Sequence, residues 1–212
     1  ADPGRSPVAI SCKVRAMEQL SGSKVENQME RRMLGRTGLA ISVVGFGGWG
    51  IGGGFSIAGK SIGYGETDDL ESMATIEAAL DCGISLFDTA DAYGAGHSES
   101  LIGQILQASG SDAIVATKVG HERRDPFSAR KNFEHDYILM ACDRSLRRLR
   151  RGTIDVYQLH NPSPDVFRSR WVWEALEELR RSGKVRAIGA SVSKWRAYRF
   201  NTSGSVAQFS MI

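Results

Sequence analysis

Three apolar runs that each stop on an ionisable side chain limit what this chain can fold into more than any other feature. Ile84-Ser85-Leu86-Phe87 runs into Asp88, Ala113-Ile114-Val115-Ala116-Thr117 into Lys118, and Ile154-Asp155-Val156-Tyr157-Gln158-Leu159 into His160. Short apolar runs bounded by turn signals read as buried strands, and the stretches between these carry apolar residues at helical spacing. Strand, helix, strand in repetition predicts a parallel sheet covered by helices. In such a fold the strand ends and the loops after them carry the chemistry, because strands buried on both faces have no room for polar groups that must meet a substrate. Asp88, Lys118 and His160 are thereby brought to one end of one sheet. Tyr93, in the polar turn five residues after Asp88, joins them.

Phe87-Asp88-Thr89-Ala90-Asp91-Ala92-Tyr93-Gly94, Thr117-Lys118 and Gln158-Leu159-His160 together resemble the aldo-keto reductase family, and the resemblance runs from about Arg31 to the end of the chain. It implies an α/β fold of the TIM (β/α)8-barrel type and a catalytic tetrad of Asp88, Tyr93, Lys118 and His160. It implies an NADPH (NADP) cofactor, with Ser191 and Gln208 bonding the nicotinamide carboxamide and Gly47, Gly48, Trp49 and Asp88 lining the same end. The family usually has Asn after that serine. Val192 stands there instead, which implies one amide hydrogen bond fewer, about 1 kcal/mol.

The chemistry implied is reduction of a small-molecule aldehyde or ketone, which needs a hydride from a carrier and a proton at the carbonyl oxygen. A free tyrosine, with a pKa near ~10, releases its proton reluctantly. We expect Lys118 to stabilise the phenolate and so make Tyr93 a stronger acid, Asp88 to hold Lys118 charged, and His160 to orient the carbonyl. Each residue taken singly has an ordinary structural role open to it: a buried ion pair, a loop anchor, a satisfied core histidine.

Composition narrows the alternatives. Of 212 residues, 42% are hydrophobic and 24% charged, as in an ordinary globular protein with one sizeable core. A net charge of +3 is too small to argue for nucleic acid or a membrane surface. No apolar run approaches the ~20 residues of a membrane span. Cys12, Cys82 and Cys142 are odd in number and widely spaced, so neither a disulfide framework nor a metal site is suggested, and a reducing, cytoplasmic setting fits.

Taken in order, residues 1–30 lack either periodicity and read as a disordered leader: an upstream extension, an expression remnant or a transit peptide. Residues 31–212 form the barrel domain. Arg32 to Ile41 reads as a hairpin closing the barrel bottom, followed by a first strand at Ile41–Gly47. Gly45-Phe46-Gly47-Gly48-Trp49-Gly50 has the letters of a Rossmann fingerprint but no helix opening on its last glycine, so we expect a mobile loop over the mouth instead. A helix follows from Thr67, its cap, with Leu70, Met73, Ala74 and Leu80 inward. Ser98 is expected to cap the next helix, ahead of Leu101, Ile102, Ile105 and Leu106. A polar loop is expected from Gly120 to Lys131. The third helix places Leu139, Cys142, Leu146 and Leu149 on one face and ends on a basic stretch, Arg144 to Arg151, expected to be solvated. Trp171 to Arg181 is helical, with Glu177 and Arg181 paired. Val185–Ser191 and Val206–Ile212 are the fifth and sixth strands, joined by at most a clipped helix around Lys194 to Phe200.

A closed barrel of this type takes eight strand–helix units and ~250 residues. The sequence supplies six, so we expect an incomplete barrel, a fragment or truncated relative with exposed strand edges. Two further readings compete with an active reductase: a nicotinamide-binding regulatory subunit, and an inactive truncated relative. Oligomeric state is not legible.

Overall fold

The computed structural model describes residues 29–57, 60–63, 65–125, 128–192 and 207–209. Residues 1–28 of the expected leader and the helix expected around residues 194–200 lie outside these. A hairpin of β1 (Arg31–Met33) and β2 (Ala40–Ser42) precedes β3 (Phe46–Gly47), and a second, β4 (Phe55–Ile57) and β5 (Lys60–Ile62), leads into α1 (Asp69–Asp81). Then come β6 (Leu86–Asp88), a 3-10 turn (Tyr93–Gly96), α2 (His97–Ala108) and β7 (Ile114–Val119). A third hairpin, β8 (His121–Asp125) and β9 (Ser128–Lys131), is followed by α3 (His135–Leu149), β10 (Ile154–His160), α4 (Pro164–Arg168), α5 (Arg170–Arg181), β11 (Val185–Ser191) and β12 (Ala207–Phe209).

Strands β3, β6, β7, β10, β11 and β12 pair side by side in that order, every pair parallel. This is six staves of a barrel-type sheet, with β3 and β12 as its outer strands among the described residues. Because side chains alternate along a strand, each strand sends one set to the helices and the other to the barrel interior. Val115, Val119, Tyr157, Leu159, Ile188 and Ala190 meet α1, α2, α3 and α5 in the main core. Ala116, Val156 and Ala187 face the other way and pack with Leu34 and Leu39 from the first hairpin.

That hairpin is the plug of the barrel floor. Its turn is closed by Leu34 N–H to Leu39 C=O at 2.8 Å, and both leucines are buried. Each contributes on the order of 1.5–3 kcal/mol by burial. Ser42 and Ser85 then lock the hairpin to β6 reciprocally, each backbone N–H donating to the other's Oγ at 2.9 Å. The same inward face is apolar at the floor and polar at the mouth, where Lys118, Gln158 and His160 continue the alternation.

Several local expectations are corrected. The first barrel strand is only Phe46–Gly47, since Ser42 is tied to Ser85 and Val43 and Val44 are exposed. The glycine-rich segment and the Gly120–Lys131 stretch each contain an antiparallel hairpin rather than a plain loop. Asp68, not Thr67, caps α1, its carboxylate accepting from Glu71 N–H at 3.0 Å. Ile76, Ser72 and Ala79 are the buried residues of α1, while Leu70 is 75% exposed. At 100° per residue Leu70 lies about 120° round the helix from Ile76, too far to reach the sheet.

The basic end of α3 is not simply solvated. Arg148 pairs with buried Glu99, and Arg151 donates to Asp155 at 2.9 Å and to the Ala113 carbonyl at 2.7 Å. On α5, Glu177 pairs with Arg180 rather than Arg181. No helix among the described residues is long and apolar enough to cross a membrane.

Candidate active site

Register builds the site. Asp88 on β6 lies beside Ala116 on β7, with Lys118 two residues further on; Lys118 lies beside Gln158 on β10, with His160 two residues further on. A step of two keeps a side chain on the same face, so the stagger between strands carries Asp88, Lys118 and His160 diagonally along one interior wall. His160 is in turn level with Ser191 on β11, whose neighbour β12 sets Gln208 level with Ala190.

Tyr93 arrives from the turn after β6. Gly94 adopts φ 59°, and any side chain there would strike the Gly52 carbonyl, so glycine allows the loop after β3 to close directly over this turn. Trp49 of that loop stacks on Tyr93, ring centroids 6.2 Å apart and 25° between planes. Gly48 is wedged inside: a Cβ would stand 2.6 Å from Ser98 Oγ. Its N–H donates to the Asp88 carbonyl at 2.7 Å, and Ser98, lying within α2 rather than capping it, donates its hydroxyl to the Gly48 carbonyl at 2.7 Å. Gly47, by contrast, has open space where a side chain would project.

The four candidate catalytic side chains meet. Lys118 Nζ donates to Asp88 Oδ2 at 2.7 Å, to the Thr89 carbonyl at 2.8 Å and to Tyr93 Oη at 3.3 Å. The Tyr93 and His160 rings lie edge to face, centroids 5.9 Å apart. Lys118 is 1% exposed and Asp88 7%, a burial that favours neutral forms. Asp88 is pushed up by that burial and Lys118 down, each partly offset by the other's charge.

Tyr93 departs from the expectation that Lys118 makes it a stronger acid. Its hydroxyl is pushed well above the usual tyrosine range, by burial first and by the Asp88 charge second. Lys118 is closer to Asp88 than to Tyr93, so the tyrosine faces a nearly neutral pair rather than a bare cation. Tyr93 therefore holds its proton across the whole neutral range. His160 is driven the other way, down to about 2, by burial, then by His121, Lys118 and Lys131, and is a neutral imidazole at any ordinary pH.

Among the described residues, the buried side-chain atoms left without a hydrogen-bond partner are Asp88 Oδ1, Asp91 Oδ1, Gln158 Oε1 and His160 Nδ1. All four belong to this end of the sheet. Buried polar groups are nearly always satisfied, so such a concentration marks a place built to receive a polar molecule. Beside it the bare Gly47, the Trp49 ring and the Ser191 position offer a flat surface and a hydroxyl. These are the features a nicotinamide amide would use, and the residues fit the group.

Sequence reasoning missed two neighbours. His121 packs its ring on that of His160, centroids 4.6 Å apart, and Lys131 Nζ reaches the His160 carbonyl at 2.7 Å. Both ride on the β8–β9 hairpin. The signal available was the density of basic residues between Gly120 and Lys131, which reads equally well as a solvated loop.

Comparison with known proteins agrees with this architecture. The model of the family described as aldo/keto reductase matches residues 43–211. Aldo-keto reductase YhdN of Bacillus subtilis is 38% identical over 168 residues, 77% of this chain and 47% of its own length. L-galactose dehydrogenase of Arabidopsis thaliana is 35% identical over 168 residues, 76% of this chain and 48% of its own. The holo form of an aldo-keto reductase from Bacillus halodurans superposes with a TM-score of 0.68 at 32% identity, covering 78% of this chain and 51% of that one. The chain thus spans about half the length of the curated relatives it matches. With its family model matched over most of its length and a parallel barrel-type sheet beneath it, this chain belongs to the aldo/keto reductase family of oxidoreductases.

Proposed function

We propose that this protein reduces an aldehyde or ketone to the alcohol with NADPH, using Tyr93 as proton donor. The observation that carries the reading is the meeting of Asp88, Lys118, Tyr93 and His160 at the mouth where the unpartnered buried atoms collect. When bound, the dinucleotide supplies the hydride that reduces the carbonyl carbon. Ser191, Gln208, Gly47 and Trp49 are the residues proposed to hold its nicotinamide end.

The substrate oxygen sits between Tyr93 Oη and the His160 ring. His160, neutral at working pH, donates a hydrogen bond without competing to protonate the substrate outright. Tyr93 keeps its proton until negative charge builds on that oxygen, then transfers it, and the Lys118 ammonium at 3.3 Å steadies the phenolate left behind. Asp88 holds Lys118 in place through the step. Solvent returns a proton to Tyr93 afterwards.

The test is nicotinamide oxidation with a generic aldehyde such as 4-nitrobenzaldehyde. Tyr93→Phe is expected to lower kcat by roughly 10²–10⁴-fold, the usual size of a lost general acid, with cofactor affinity held within about twofold. Equal rates in parent and variant would remove the tyrosine from the mechanism.

A further inference from the structure

We propose that Lys131 is the anchor of a carboxylate-binding subsite beside His160, and that the preferred carbonyl substrates carry a carboxylate. This rests on the reductase reading above and adds to it the chemistry of the substrate's other end.

Lys131 closes the β8–β9 hairpin opposite His121. Its ammonium donates to His121 Nε2 at 2.6 Å and to the His160 carbonyl at 2.7 Å. An ammonium has three donors, so one is left for a ligand. Neither partner is charged, and among the described residues no carboxylate lies within 4.0 Å of it. The contrast with its neighbours is plain: Lys118 holds Asp88, Lys184 holds Asp143, and Arg130 on the same hairpin holds Glu122. Lys131 is an exposed cation fixed in place by two neutral acceptors, which removes much of the side-chain entropy a free lysine loses on binding an anion.

Lys131 also lines a cavity of about 370 Å³ that opens beside the His160 strand end, between the foot of the hairpin and α4–α5. That volume is in the range of small-molecule sites. Asn161 and Ser163 supply polar atoms to the wall, Phe133 and Trp171 apolar surface. Glu134 lines the same cavity, so the charge of the ammonium is already partly countered there and a doubly charged anion is opposed more strongly than a singly charged one. A monocarboxylate fits this arrangement better than a phosphate.

The groups facing the ammonium are His121 from β8, His160 from β10 and Asp91 from the turn after β6, with Glu134 ahead of α3. The partial burial of its ammonium lowers Lys131 to about 8 and the Asp91 charge partly offsets this. Carboxylate binding is therefore expected to weaken as pH rises past that value.

The test has a turnover arm and a binding arm, both on the full chain. With NADPH, the ratio of kcat/KM for 4-carboxybenzaldehyde over benzaldehyde is expected to fall roughly tenfold in Lys131→Met, the size of a hydrogen bond to a charged group, and to be largely kept in Lys131→Arg. Calorimetric titration with 4-methylbenzoate, a monocarboxylate with no aldehyde to reduce, reads the subsite without turnover. Its affinity is expected to fall roughly fivefold or more in Lys131→Met and Lys131→Gln, and in the parent above about pH 8. Equal 4-methylbenzoate affinity in parent and variants overturns the subsite. Lysine-dependent 4-methylbenzoate binding with no reduction of either aldehyde keeps the subsite and strikes the reductase reading instead.

Discussion

Two buried carboxylate–cation pairs stand on opposite faces of the parallel sheet, meeting at β7, and they are built differently. Glu99, fully buried on α2, has both oxygens answered: Oε1 takes the Thr117 hydroxyl at 2.6 Å, and Oε2 takes Nε and Nη2 of Arg148. Arg148 in turn bonds Ser145 Oγ at 3.1 Å. Asp88, facing the barrel interior, has one oxygen on Lys118 and the other unpartnered. The closed pair joins α2, β7 and α3 through residues far apart in the chain. The open pair touches a tyrosine and is ringed by further unsatisfied atoms. An interior charge pair that is completely bonded holds elements together, whereas one left incomplete is available to a substrate.

Breaking each pair should separate these roles. Lys118→Met is expected to abolish turnover, by roughly 10²-fold or more, because Tyr93 loses the ammonium that steadies its phenolate. Its cost in stability should be the smaller of the two, since burial already pushes Asp88 toward the protonated form and a proton can replace the lost cation. Arg148→Met is expected to do the reverse. It strands a fully buried Glu99 and should cost on the order of 3–5 kcal/mol in urea unfolding, while the protein that remains folded turns over normally. Equal stability losses with equal activity losses would erase the distinction.

A milder perturbation sharpens the mouth side. His121 is lowered to about 4, by burial first and Lys131 second, and His160 to about 2. The folded state keeps both imidazoles neutral while the unfolded chain takes up protons below about 6.5. Their contribution is therefore complete above that pH and lost as pH falls, toward 4 for His121 and toward 2 for His160. His121→Gln should flatten the decline in urea midpoint between pH 6.5 and 4. An unchanged slope would place the acid sensitivity elsewhere.

The smallest effect is expected far from both pairs. Asp68→Ala removes the α1 cap and should cost about 1 kcal/mol with no change in turnover.

Much of this was legible in the order of residues. Apolar runs ending on Asp88, Lys118 and His160 located the strand ends, and parallel topology followed from the helical stretches between them. Helix stops at Gly110 and Gly183 were equally local, each taking a positive φ. The inward face of α1 is not legible in its sequence, because a weak amphipathic pattern allows several faces and only the sheet beneath selects Ile76. The arginines at the end of α3 looked solvated because their acids, Glu99 and Asp155, lie on other elements.

The sequence by itself determined which residues stand at the strand ends and in what order, because alternation and turn chemistry act over a few neighbouring positions. Only the tertiary structure decided that Tyr93 would hold its proton more tightly, that His121 and Lys131 would lean over His160, and that Glu99 would be closed where Asp88 is open. Those outcomes depend on burial and on charges up to 49 residues apart, which meet only after the strands are set in register.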